Sequence, residues 1–201
     1  MRVLVACEYS GVVREAFRSR GHDAWSNDLL PADDNSPNHI QGDCVPVIKQ
    51  GWDLIIMHPP CTALTSAGNS TYGEGKPKYQ NRLEAVDWTV ALWELAKKNA
   101  SIGVCMENPV GVLPRLGGIK PAQYVQPWMF GHMEQKKTGL WLHNLPNLTP
   151  TEYVYDEMMK LSKRERERLF YLPPSPDRWK IRSTTYRGIA EAMADQWGGL
   201  S

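Results

Sequence analysis

The sequence has no glycine-rich G-x-G-x-x-G run. After its first apolar stretch, Glu8-Tyr9-Ser10-Gly11 supplies a single glycine, which speaks against a plain dinucleotide site. It has no C-x-x-C pair and no His pair to complete a zinc pattern, so no metal is expected. Cys7, Cys44, Cys61 and Cys105 are scattered, as reduced thiols are in a cytosolic protein. No apolar run approaches the roughly 18 residues of a membrane span. The opening Met1 to Ala6 is too short for a signal-peptide core, so no membrane contact and a cytoplasmic location are expected. Charge bias is absent too. The formal net charge is +1, so any surface for nucleic acid must be local. No internal repeat is present.

What is present is an ordinary globular composition. The chain has 201 residues, 42% hydrophobic and 22% charged, with eight Trp. That length suits one well-buried domain. Arg2 to Ala6 reads as a strand, Cys7 to Gly11 as a turn, and Val12 to Arg20 as an amphipathic helix stopped by Gly21. Asp23 to Asn27 reads as a second strand with Asp28 just past its end, and His39 to Gln41 as a short extended piece before Gly42-Asp43. Asp53 to Met57 and Ile102 to Met106 are apolar on both faces, as strands of a parallel sheet are. The first breaks at His58-Pro59-Pro60-Cys61, the second at Glu107-Asn108-Pro109. Leu83 to Asn99 is an amphipathic helix, with Leu83, Val86, Val90, Trp93 and Ala96 on one face. Residues 62–81 read as a long mobile loop. Tyr124 to Pro127 and Gly139 to His143 read as strands. Ser162 to Glu165 fits a capping box opening a short charged helix. Pro173 to Pro176 reads as a rigid linker, and Arg187 to Trp197 as a closing amphipathic helix.

Strands alternating with helices predict an α/β fold with a mostly parallel sheet. Ligands of such sheets sit beyond the carboxyl ends of the strands. Polar or reactive residues collect at those ends: Glu8 to Gly11, Asp28, Pro59-Pro60-Cys61 and Glu107-Asn108-Pro109. Cys61 is held on a stiff backbone by its prolines. It is either a buried loop thiol or a nucleophile activated by a nearby positive field. Glu107 is either a turn carboxylate or an acid facing the same crevice. Desolvation there would let it donate a proton to a ring nitrogen. Asp28 stands where a ribose-binding acid is found, or serves as a turn residue. Asp43 could meet an adenine amino group, or only close a turn. Trp88 and Trp93 read as core residues. Trp25 could flank an adenine or pack in the core. Among the histidines, only His58, beside the Pro-Pro-Cys turn, stands near this chemistry.

The order of these pieces resembles the cytosine-C5 DNA methyltransferases, in particular short phage-type members. Leu4 to Gly11 stands where their cofactor loop would be. Ala24 to Asp28 is similar to the second motif, Gly42-Asp43 to the third, and Asp53 to Cys61 to the fourth, whose Pro-Cys carries the nucleophile. Met106 to Pro109 is similar to the Glu-Asn-Val motif, and Arg187 to Met193 to the final motif. The nearest match to the Gln-x-Arg-x-Arg motif is Gln135 to Gly139. Departures are Thr62 in place of Gln after the cysteine, and a target-recognition region reduced to about residues 146–181.

The resemblance implies a Rossmann-like SAM-dependent methyltransferase fold. Residues 1–145 and 182–201 would form the catalytic domain, with 146–181 as a small recognition insert. It implies SAM as cofactor, held by Glu8, Tyr9, Ser10, Gly11, Asp28, Asp43, Pro59, Gly188 and Ile189. It implies DNA as partner, in a bacterial or phage-infected cell. Cys61 would attack C6 of cytosine, Glu107 would assist at N3, and Lys137 would hold the base carbonyl. Pro60 and Asn108 would line the substrate site. Lys76 and Lys78 would close over it from the 62–81 loop, and Arg164 and Arg166 would contact phosphate. Three other readings share the scaffold: the same chemistry with a modified SAM or on free nucleotide or RNA, methylation of an exocyclic amino group, and an inactive binding module.

Overall fold

A computed structural model describes all 201 residues. Seven strands form one sheet in the order β3-β2-β1-β4-β5-β7-β6. They are β1 (Arg2–Ala6), β2 (Asp23–Asp28), β3 (His39–Gln41), β4 (Trp52–Met57), β5 (Ala100–Pro109), β6 (Gln123–Val125) and β7 (Thr138–His143). The β1–β2, β1–β4, β2–β3 and β4–β5 pairs are parallel. Strand β7 runs antiparallel to both of its neighbours, β5 and β6. The helices are α1 (Val12–Arg18), α2 (Cys44–Ile48), α3 (Asn69–Tyr72), α4 (Tyr79–Asn99), α5 (Leu113–Leu116), α6 (Tyr155–Met159), α7 (Lys163–Arg166), α8 (Arg168–Tyr171), α9 (Arg178–Ser183) and α10 (Arg187–Trp197). None is long and apolar enough to cross a membrane.

The central strands are apolar at successive positions through Val3–Ala6, Leu54–Met57 and Val104–Met106 because helices cover both of their faces. Val3, Val5, Leu54 and Ile56 point into one core layer with Phe17 of α1 and Ala190, Met193 and Trp197 of α10. Leu4, Ala6, Ile55 and Met57 point into the other, with Ile48 of α2 and Val86, Leu92 and Trp93 of α4. This alternation is the two-residue period of a strand serving two cores at once. The strand order reverses at β1, where β2 leaves to one side and β4 to the other. Such a reversal opens a crevice at the carboxyl ends of the strands.

Three elements differ from the sequence expectation. Residues 62–81 are not a free loop. They hold a short 3-10 turn and α3, and the guanidinium of Arg82, 1% exposed, fastens them. It donates to the carbonyls of Ala63 (2.7 Å) and Thr65 (3.2 Å) and to the Asn69 side chain (2.7 Å). Helix α4 begins at Tyr79, and its buried face carries Arg82, Thr89 and Leu92 beside Val86, Trp93 and Ala96. Trp88 lies off that face, 40% exposed. Helix α2, with the Asp43 carboxylate accepting from the Val45 N–H at 3.0 Å, is too short to leave a periodic signature. The capping box does form: Glu165 N–H donates to Ser162 Oγ, and Ser162 N–H to the Glu165 carboxylate.

Candidate functional site

Two cavities open side by side at the reversal point. The larger, about 320 Å³, is walled by Asn27, Asp28, Gly42, Asp43 and Cys44 on one side and by Ala85, Trp88 and Thr89 of α4 on the other. The smaller, about 100 Å³, is walled by Glu8, Tyr9, Ser10, His58, Pro59, Cys61, Glu107 and Asn108, with Lys136, Arg182, Ser183 and Thr185 closing it. Cys7 and Pro60 line both, so only one thin wall separates them.

That wall owes its position to the turn after β1. Cys7 takes a φ of +58°, a left-handed conformation uncommon outside glycine. Gly11 takes a φ of +73°, and a β-carbon there would collide with the Arg14 guanidinium. Between them, Glu8 turns inward. Its carboxylate accepts from the N–H groups of Val13 (2.7 Å) and Arg14 (3.3 Å), at the positive end of α1. Burial pushes the Glu8 carboxyl above its ordinary range, and the His58 charge and these N–H groups pull back only part of the way.

The smaller cavity gathers the reactive groups. Cys61 follows β4 and is half-buried. Burial, then the Glu107 charge, raises its thiol, while Lys136 and Arg182 pull it down. Glu107 stands near the end of β5, opposite Leu140 of β7. Its Oε2 lies 3.0 Å from His58 Nδ1. Burial alone would raise Glu107, yet the His58 hydrogen bond and the Lys136 and His58 charges outweigh it and hold the carboxyl below its usual range. His58 is the counterpart. Burial disfavours its imidazolium, but the Glu107 hydrogen bond and the charges of Glu107 and Glu8 hold it above its usual value. Its Nε2 is buried with no partner. Asn108 joins the two strand ends, donating to the Pro59 carbonyl at 2.9 Å. The Pro-Pro-Cys turn is thus tied to the Glu-Asn-Pro turn by one side chain.

The expected site residues divide. Cys61, Glu107, Pro60 and Asn108 share the smaller cavity, as do Glu8, Tyr9, Ser10 and Pro59, expected at the cofactor. Asp28 and Asp43 line the larger. Asp28 accepts from the Leu30 N–H at 3.0 Å through Oδ1, which leaves Oδ2 without that bond. Gly11 lines neither cavity. Gly188 and Ile189 also lie outside both. Gly188 packs where a β-carbon would land on the Phe130 carbonyl oxygen, and Ile189 is in the core. Lys137 is exposed, its Nζ 4.5 Å from the Tyr124 ring centroid, and its neighbour Lys136 lines the cavity instead. Consecutive residues of an extended segment face opposite ways, so an offset of one residue exchanges them. Lys76, Lys78 and Arg164 are exposed and line neither cavity. Arg166 is half-buried and donates to the Leu161 carbonyl.

Sequence reasoning missed several walls. Trp88 and Thr89 were hidden by the helical phase of α4. Arg182, Ser183 and Thr185 come from a stretch with no apolar period, which Tyr9 holds over the cavity: its hydroxyl donates to the Lys180 carbonyl at 3.1 Å. Trp25 turned out to line neither cavity; its indole N–H donates to Asp23. No cluster of three or more His, Cys, Asp or Glu side chains is arranged to hold a metal ion.

No protein-family model matches the chain, and a search of curated proteins found no match. Solved structures do match. One is a prophage-encoded E. coli chain described as a DNA modification methyltransferase, with a TM-score of 0.51 and 14% identity over 76% of this chain and 51% of that one. Another is the Entamoeba histolytica methyltransferase EhMeth, with a TM-score of 0.51 and 13% identity over 76% of this chain and 57% of that one. This chain therefore spans little more than half the length of either. Identity this low speaks to the fold alone. The chain has the Rossmann-like fold of SAM-dependent methyltransferases.

Proposed function

We propose that this chain methylates C5 of cytosine in DNA, using SAM and a transient bond between Cys61 and C6 of the base. The observation that carries the reading is the meeting of Cys61 and Glu107 across one small cavity, one wall away from a larger one. The larger cavity suits an adenosine. Trp88 offers an aromatic face, Asp28 a carboxylate for ribose hydroxyls, and Asp43 a second acceptor. Bound there, SAM supplies an electrophilic methyl group on a sulfonium.

The chain's own residues do the rest. C5 of cytosine is a weak nucleophile until a thiolate adds at C6 and converts the ring to an enamine. Cys61 makes that bond, with Lys136 and Arg182 favouring its thiolate. Negative charge pushed onto the ring needs a proton at N3. Glu107 is held below its usual range and His58 above its own, so in the imidazolium form the proton sits on His58 Nδ1, 3.0 Å from the Glu107 carboxylate. As Cys61 adds, the proton passes from His58 Nδ1 to Glu107 and on to N3. C5 takes the methyl group as the sulfonium departs as a neutral thioether. Water at the mouth of the cavity removes the C5 proton, and the electrons of that C–H bond re-form C5=C6 and expel Cys61 as thiolate. The N3 proton returns through Glu107 to His58. Asn108 keeps the two partners in register through Pro59. DNA is the substrate favoured by the run Lys160 to Arg168, which carries five basic and two acidic residues, Arg164 among them. Mass spectrometry of nucleosides after incubation with isotopically labelled SAM and mixed DNA tests the reading. Label in 5-methyl-deoxycytidine, absent with Cys61→Ala, is expected. Label on an exocyclic nitrogen, or transfer unaffected by Cys61→Ala, would refute it.

A further inference from the structure

The wall of the Cys61 cavity continues outward into a surface of unusual composition. From Lys160 to Arg182 the chain carries eight basic and three acidic residues, while the whole chain is only +1. The remainder is therefore net acidic, and the positive field is concentrated on this one segment. The same segment leaves large aromatic side chains in solvent: Phe170 is 68% exposed and Trp179 49%. Neighbouring Leu169 is buried, so α8 packs its apolar residue inward and still presents a phenyl ring outward.

These groups are continuous with the cavity. Phe170 and Tyr171 meet edge to face at 5.2 Å. The Arg178 guanidinium donates to the Phe170 carbonyl at 3.3 Å, which brings α8 against the start of α9. The Trp179 ring lies 5.5 Å from the Tyr9 ring, and Tyr9 lines the cavity beside Cys61. Lys180 Nζ stands 5.8 Å from both rings, and Arg182 reaches the cavity itself. Aromatic faces and cations thus alternate from Phe170 to the mouth of the reactive site.

A duplex offers such a surface only its phosphates, because stacking covers the faces of its bases. An unpaired strand offers both phosphates and free base faces. Base–aromatic stacking contributes about fivefold or more in affinity per base. The cavity, at about 100 Å³, admits a single pyrimidine ring and not a pair. We propose that this strip binds single-stranded DNA, with bases stacking on Phe170 and Trp179 and the next base passing into the Cys61 cavity. The proposal deepens the cytosine reading by naming the form of the substrate, and it rests on that reading only for what happens inside the cavity.

Fluorescence anisotropy of the full chain, without SAM, tests it with a labelled 12-nucleotide DNA strand, the blunt duplex of the same sequence and the matching RNA. The single DNA strand should bind at least tenfold more tightly than the duplex. Trp179→Ala and Phe170→Ala should each weaken it about fivefold or more, and Trp179→Phe should keep most of the affinity. Duplex binding as tight as single-strand binding, unchanged affinity in both alanine variants, or tighter binding of the RNA would overturn the proposal. Because binding is read without transfer, a chain that binds the strand and methylates nothing would refute the cytosine chemistry and leave the strip standing.

Discussion

Glu107 and Lys136 pull the Cys61 thiol in opposite directions, which gives the residue scale its sharpest tests. Burial and Glu107 raise the thiol above its ordinary range, so at neutral pH the thiolate is a minor form and its alkylation should still be quickening as pH passes about 9. Lys136→Met removes a stabilising cation and should slow iodoacetamide labelling of Cys61 several-fold at pH 8. Glu107→Gln removes a repelling charge and should quicken labelling while abolishing methyl transfer. Peptide mass spectrometry separates Cys61 from the other thiols. Lys137→Met, one residue away, should leave the labelling rate unchanged.

The His58–Glu107 pair makes a second prediction at this scale. His58 is raised above 6.5, so its pairing contributes stability that is whole below 6.5 and lost as pH rises through the raised value. Glu107 is lowered below 4.5, so its contribution is whole above 4.5 and lost as pH falls through the lowered value. Both operate together between about 4.5 and 6.5. The destabilisation caused by Glu107→Gln should therefore be larger at pH 6 than at pH 9, measured by urea denaturation. Imidazole NMR should show His58 titrating lower in the variant, since burial is then opposed by less charge.

At the scale of elements, the strands were legible and the connections were not. Val3 to Ala6, Leu54 to Met57 and the middle of Ala100–Pro109 are apolar at successive positions, and few alternatives to a doubly covered parallel strand produce that pattern in so short a run. The polar ends of Trp52–Met57 and Ala100–Pro109 marked Cys61 and Glu107, and the end of Asp23–Asp28 marked Asp28. The stretch after Cys61 read as mobile because its residues are small and polar. Its anchor, Arg82, is a charged side chain whose burial depends on carbonyls 17 and 19 residues away, which no local pattern encodes. The spacing after Gln135 in the motif points to Lys137, and the residue between them, Lys136, lines the cavity instead. Arg82→Ala should leave buried carbonyls without donors and cost about 2–3 kcal/mol. Trypsin should then cut after Lys78 faster than in the unmodified chain.

For the whole molecule, one thin wall between two cavities is the organising feature. Under the proposed function, a ligand in the larger cavity would have one end toward the smaller, since Cys7 and Pro60 line both. SAM at a hundredfold excess over its Kd should stabilise the chain by about 2.7 kcal/mol, which for a domain of this size is about 5–10 °C in Tm. Asp28→Ala and Trp88→Ala should reduce that shift, and Cys61→Ala should preserve it, because the thiol lies on the far side of the wall. The fold class could be read from the order of strands and helices. The closing of the small cavity by Arg182, Ser183 and Thr185 could not, since those residues are held there by long-range contacts, Tyr9 to α9 and the Lys136 ammonium donating to the Arg182 carbonyl at 2.9 Å.

The most direct test of the central claim is mass spectrometry of the chain after reaction with SAM and an oligonucleotide containing 5-fluoro-2′-deoxycytidine. Fluorine at C5 leaves no proton to lose, so a thiol bonded to C6 cannot depart. The account predicts a stable protein–DNA adduct that maps to the Cys61 peptide and is missing in Cys61→Ser. An adduct on another residue, or none under conditions in which the chain binds both SAM and the oligonucleotide, would contradict it.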